Sequence, residues 1–276
     1  MSQIASDDVR FSLDATTARV DRFEKAVDDL QIHTRRPDIY PFDCVAGELL
    51  AKAFALSRAA IVLIQSGYPE EAFGLCRSLY ESAMYLRYIT SKAEQRDRRA
   101  RDFLEFGVTS KAFWFDLLNR SSNLTSEERA DIERYKAENR IPDDPKRITQ
   151  PWSGVRKIIE KVSREPHPAD EVNSTEAYRD KERAIAYTDT SAYVHCTQPG
   201  VNSYSYDWKE QIQMKRIPVI RTNAAQKACM LIQVQLPSII RYCLLGMQVI
   251  SLVDLETTGG KAAAEIVAEL RATNPA

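Results

Sequence analysis

The chain contains three histidines, and one of them, His195, sits in the segment TDTSAYVHCTQPG between Thr188 and Gly200. An imidazole titrates near neutrality, so its neighbours decide whether it moves protons or merely closes a helix. Helical spacing places Thr188, Ser191 and His195 on one stripe, with Ala184 beside them. Ser191 is then positioned to hydrogen-bond the ring, and the small side chains admit a closely packed second helix. Tyr178, Ile185, Ala192 and Cys196 form the neighbouring apolar stripe. A histidine in a last turn is also favoured by the helix dipole without doing any chemistry. Cys196 does not complete a Cys-His dyad, because adjacent helical residues point about 100° apart. No strand-turn-helix elbow supports a serine nucleophile.

A second constellation is FGLCRSLYESAMYLRYI, Phe73 to Ile89. Leu75, Cys76, Leu79, Ala83 and Leu86 make a core stripe, with Phe73 and Tyr80 at its margin. Arg77 and Glu81 lie four apart, the spacing of an ordinary helical ion pair. Arg87 falls inside the apolar arc, and a guanidinium there needs a carboxylate, a phosphate or aromatic faces. It is either half of an internal ion pair or a ligand contact.

The run SKAEQRDRRARD, Ser91 to Asp102, contains four arginines but also the spacings Glu94/Arg98, Arg98/Asp102 and Arg101/Glu105. It reads as a solvated, self-paired helix face rather than an RNA-binding patch. YSYDW, Tyr204 to Trp208, has the residues either to stack on bases or to lie as a lid over a helical core.

Scarce glycine and apolar residues three and four apart predict helices nearly throughout, with no strand hairpin. One helix spans about 7–30. The next starts near Pro41 and ends at Gly67, and a third starts at once with Pro69-Glu70-Glu71, giving an antiparallel hairpin. The fourth runs from about Lys92 to Asn119 with two apolar stripes: Phe103, Phe106, Ser110, Phe113 and Leu117, and beside it Leu104, Val108 and Phe115. TSEE at Thr125 to Glu128 opens a short fifth helix, another passes through Ile158 and Ile159, and NSTE from Asn173 opens the helix that ends at Cys196. NRIPDDPKRITQPW and REPHPADEVN read as loops. The last long helix runs from about Pro218 to Leu255 with a kink at Pro237, and Gly259-Gly260 separates a short Ala-rich terminal helix.

These elements predict one all-α domain over residues 1–276, with 121–172 as a helical insertion. The helices starting near Phe42, Glu70, Ser174 and Val219 form a four-helix core, and the first and fourth helices pack outside it. With 38 Lys and Arg against 39 Asp and Glu, no global field favours nucleic acid or anionic lipid. The apolar stretch from Ala228 to Leu255 is long enough to span a bilayer, but Arg241, Gln233, Gln235 and Gln248 make it a buried central helix instead, so no membrane partner is expected. The start MSQIASDDVR lacks a secretory pattern, which points to the cytoplasm. Cys44, Cys76, Cys196, Cys229 and Cys243 are scattered like reduced structural thiols, so neither zinc nor a disulfide is expected, and the sequons at Asn123 and Asn173 carry no meaning there.

The LCRSLYESAMYLRYI helix and the SAYVHCTQPG segment, within about Phe54 to Tyr88 and Tyr187 to Pro199, resemble a bacterial domain of unknown function, family 5677, allied to the HEPN helical bundles. The resemblance implies a compact HEPN-like bundle, a homodimer, and RNA or protein as partner. It singles out Arg77, Glu81 and His195, with His195 and Arg77 as the catalytic candidates and Arg87, Glu81, Ser191 and Tyr193 as ligand contacts. No cofactor or metal is implied. HEPN nucleases place an arginine four to six residues before the histidine, whereas here the nearest on the same helix is Arg183, twelve positions before His195. That departure favours a non-catalytic binding module, for which Arg87 should be neutralised internally and an apolar patch should lie near Phe103 to Phe115. The alternative is a metal-independent ribonuclease in which His195 moves the proton and Arg77 or Arg87 steadies the phosphate.

Overall fold

Gly67 stops one helix and Pro69 starts the next. In the helix at Pro41–Gln65 (α2), the last carbonyls are closed by Gly67, whose φ is 87°. Gly67 N–H donates to Ile64 O at 3.1 Å and Tyr68 N–H to Leu63 O at 2.8 Å, the pairing of a Schellman closure. Only glycine adopts that positive φ at no steric cost. Proline then occupies the first turn of α3 (Pro69–Thr90), where its missing N–H costs nothing, and Glu70 and Glu71 face the positive end of the dipole. The expected antiparallel hairpin is present.

This computed structural model describes residues 7–29, 40–119, 124–138, 141, 155–162, 167, 176–194, 205–206, 213–214 and 222–247. They are almost entirely helical. Besides α2 and α3 the helices are α1 (Asp7–Asp29), α4 (Arg96–Asn119), α5 (Ser126–Glu138), α6 (Val155–Val162), α7 (Glu176–Arg183), α8 (Thr190–Val194) and α9 (Thr222–Gly246). The expected kink at Pro237 does not interrupt α9. A 3-10 turn, Ala93–Gln95, precedes α4, so the fourth helix begins four residues later than its sequence suggests. A minimal antiparallel ladder, β1 (Ser205–Tyr206) against β2 (Gln213–Met214), lies between α8 and α9, where the sequence suggests no hairpin. It is too short to show period-two alternation.

α3 is the central element, packing against α2 and α9 and flanked by α4, α6 and α8. Phe73 and Tyr80, placed at the stripe margin from sequence, are among the most buried side chains, while Leu75 is only half buried. α3 has neighbours on several sides, so its buried arc is wider than one stripe. Burying each large side chain of this kind contributes about 1.5–3 kcal/mol. On α9 the small residues Ala225, Ala228 and Cys229 allow close approach, and Cys76 Sγ donates to Ala228 O at 3.7 Å. α9 is long and apolar enough to cross a membrane, but most of it is buried inside the protein.

α1 lies outside, burying Leu13, Thr16, Val20 and Phe23, and is tied to α9 by Gln233 Nε2 donating to Thr16 Oγ1 at 2.7 Å. The capping box is formed: Glu128 N–H donates to Thr125 Oγ1 at 3.2 Å and Thr125 N–H to Glu128 Oε2 at 2.8 Å. Within 121–172, α6 contributes Ile158, Ile159 and Val162 to the main core, whereas Ile132 of α5 joins Phe115 and Ile141 in a separate small cluster.

The basic run is not a uniformly solvated face. Arg99 is 3% exposed, its guanidinium donating to Tyr88 O, to Ser91 Oγ at 2.6 Å and to Gln95 Oε1 at 3.0 Å. Arg96 Nη1 donates to Gly246 O at the end of α9. These two arginines therefore cap the carboxyl ends of α3 and α9, which favour cations and lack intrahelical partners. Along α4, Phe103, Leu104 and Phe106 pack against the core, but Leu117, assigned to an apolar stripe, is 68% exposed and Trp114 56%. Of the patch expected over Phe103 to Phe115, Phe103, Leu104 and Phe106 pack on the core and Phe115 is buried, Trp114 is exposed, and the side chains of residues 108–113 lie outside the described ones.

Candidate functional site

Between α7 and α8 the helix widens into a π-helical turn, Ala184–Asp189. Such turns are rare, and they occur often at functional sites. The wider turn rotates the residues that follow relative to a regular 3.6-residue spiral. Ala184 and Thr188, assigned from sequence to a close-packed stripe, are exposed, while Ala186 and Thr190 are fully buried. Thr190 satisfies its hydroxyl on Ala186 O at 2.6 Å.

Arg77 reaches from α3 to this turn. Its Nε donates to Glu81 Oε1 at 2.8 Å, its Nη1 donates to Ser191 Oγ at 2.9 Å, and its Cζ stands 4.6 Å from the centre of the Tyr187 ring. The guanidinium thus meets a carboxylate, a hydroxyl and an aromatic face. Ser191 Oγ donates its own proton to Tyr187 O, so its lone pairs are what Arg77 engages. Ser191 was expected to hydrogen-bond His195, which lies outside the described residues. The Arg77 and Glu81 side chains are 14% and 21% exposed, so the pair sits at the edge of the solvent.

One turn further along α3, Tyr85 packs against Phe103 with ring centres 5.3 Å apart and the planes tilted by 54°. Burial pushes its phenol well above the ordinary range, with the charge of Glu81 and then Tyr187 adding to the rise and Arg77 opposing it. Tyr85 stays neutral, a donor rather than an anion.

The sequence candidates separate into two groups. Arg77, Glu81 and Ser191 come together, while Arg87 lies on another face of α3, 4% exposed, in an interior polar seam. Tyr80 shares that seam. Its phenol is raised first by burial, next by Glu182, while Arg183 and Arg87 oppose the rise. Glu182 accepts from Gln235 Nε2 at 2.6 Å. His195 lies outside the described residues, and so does the side chain of Tyr193.

Two residues were missed from sequence, one in the Arg77 cluster and one apart from it. Tyr187 lies four residues before Ser191, a spacing that could have marked it. His167, between two prolines in a segment read as loop, is buried: Thr90 Oγ1 donates to Leu86 O at 2.7 Å and lies 3.1 Å from His167 Nε2, and Tyr242 meets the imidazole edge-on at 5.0 Å. No periodicity announces such a residue. The described cysteines, Cys44, Cys76, Cys229 and Cys243, are free thiols.

The family profile described as "Family of unknown function (DUF5677)" matches residues 43–211. The chain belongs to this family. Neither a curated protein nor a solved structure matches it. The DUF5677 match takes in α2 through α8 and therefore the whole Arg77, Glu81, Tyr187 and Ser191 cluster. α9 lies beyond it, although it packs directly on α2 and α3.

Proposed function

We propose that this DUF5677 chain is a HEPN-like helical module that binds an RNA or protein partner without cleaving RNA, as a homodimer in a bacterial defence or stress system in the cytoplasm. In this reading α2, α3, the α7–α8 run and α9 are the four-helix core. The supporting observation is the use made of the two arginines. Arg77 is engaged by Glu81, Ser191 and Tyr187, and Arg87 is inside the protein. A nuclease arginine must deliver its charge to a phosphate as the transition state forms. Here one charge is balanced by a carboxylate that any ligand would first have to displace, and the other is buried. The twelve-residue separation of Arg183 and His195 agrees with this reading.

The ribonuclease reading has one observation in its favour: Arg77 binds Ser191, four residues before His195 in the chain. The two readings differ in what His195 senses. A proton-detected titration of the three histidines, comparing wild type with Arg77→Ala, tests them. The binding reading predicts the same His195 midpoint in both proteins. A rise of that midpoint on removing Arg77 would mean that the cation acts on the imidazole, as a catalytic pair requires.

A further inference from the structure

We infer that Glu81 is an exchangeable partner of Arg77, and that the site takes an oxyanion of a ligand, carboxylate or phosphate, in its place. The inference rests on the binding-module reading and specifies the chemistry of its site. The guanidinium keeps its position without Glu81, because Ser191 Oγ and the Tyr187 ring hold it from the neighbouring helix. Glu81 is the movable member: its side chain is 21% exposed and is joined to Arg77 only along one helix face, an arrangement of small stability. An incoming oxyanion would meet a planar, always-charged donor that stacking has already oriented. The other buried arginines on and beside α3 differ in this respect. Arg87 is buried in the polar seam, and Arg99 is occupied by the carboxyl end of α3. Among them Arg77 alone combines partial exposure, rigid support and a removable anion. The mechanism is competition, so deleting the carboxylate should strengthen binding and deleting the guanidinium should abolish it.

The test follows the Arg77 Nε–H resonance of the full chain during titration with sodium tripolyphosphate and, separately, with a hexaglutamate peptide. A saturable shift with tripolyphosphate assigns a phosphate ligand, and one with hexaglutamate assigns an acidic peptide. Glu81→Gln should bind the active probe roughly five-fold more tightly, the loss of one weak competing ion pair, and Arg77→Ala, followed by calorimetry with the same probe, should not bind it. No response of the wild-type resonance to either probe overturns the exchange, and this measurement needs no variant to fold. Equal affinities of wild type and Glu81→Gln also overturn it, leaving the binding-module reading in place. RNA cleavage by the wild type would instead overturn the reading and leave the exchange standing.

Discussion

Arg77 Nη1 on α3 and Ser191 Oγ on α8 are 2.9 Å apart, and this bond joins the central helix to the π-bulged one. Ser191 in turn spends its proton on Tyr187 O, whose ring lies against the same guanidinium. These contacts close a ring through Arg77, Ser191 and Tyr187. Ser191→Ala leaves an Arg77 N–H without its acceptor at a mostly buried edge, which should cost about 1–2 kcal/mol. Urea unfolding should show a lower midpoint with an unchanged slope. An unaltered midpoint would mean the bond adds nothing to the packing.

Gly246 is required by contact rather than by backbone angle. A Cβ there would lie 2.1 Å from Phe42 Cζ and 2.9 Å from Thr90 Cγ2, where α9 closes on α2 and α3. Phe42 is itself buried and carries Arg96 against its ring at 5.4 Å. Gly246→Ala should therefore destabilise by about 1–3 kcal/mol through overpacking, outweighing the better helix propensity of alanine. Thermal unfolding should drop by several degrees, and an increase would show that the ring can move aside.

Cys76, Cys243, Tyr80 and Tyr85 all have their proton loss pushed upward, in each case first by burial. In the unfolded chain the thiols ionise near pH 8.5 and the phenols near pH 10, by about the reference values. Above those values the unfolded state holds fewer protons than the folded one, so stability is complete below about pH 8.5 and falls as pH rises. Chemical unfolding from pH 7 to pH 11 should show a plateau and then a decline, with Cys76→Ala flattening its first part. A stability that rises across this range would contradict the burial of these groups.

Much of the architecture was legible because punctuation residues state it locally. Pro41, Gly67 and Pro69 mark the α2–α3 turn, and Thr125 with Glu128 marks the start of α5. Arg77, Glu81 and Ser191 were also legible as candidates, since helical spacing and side-chain chemistry are visible in one dimension. The π-helical turn was not. It packs against α3, and no residue type encodes it, so the stripe through Thr188 was projected with the wrong period. The fate of Arg96 and Arg99 was equally hidden, because the carboxyl ends they cap belong to helices that end elsewhere in the sequence. His167 needed the third dimension for the same reason.

The most direct measurement is incubation of a labelled single-stranded RNA with the purified protein in the presence of a metal chelator, for wild type and His195→Ala alike. The account predicts intact RNA with both proteins over hours at micromolar enzyme. Fragments produced by the wild type and absent with His195→Ala would contradict it, and would make His195 and Arg77 the catalytic pair of a ribonuclease.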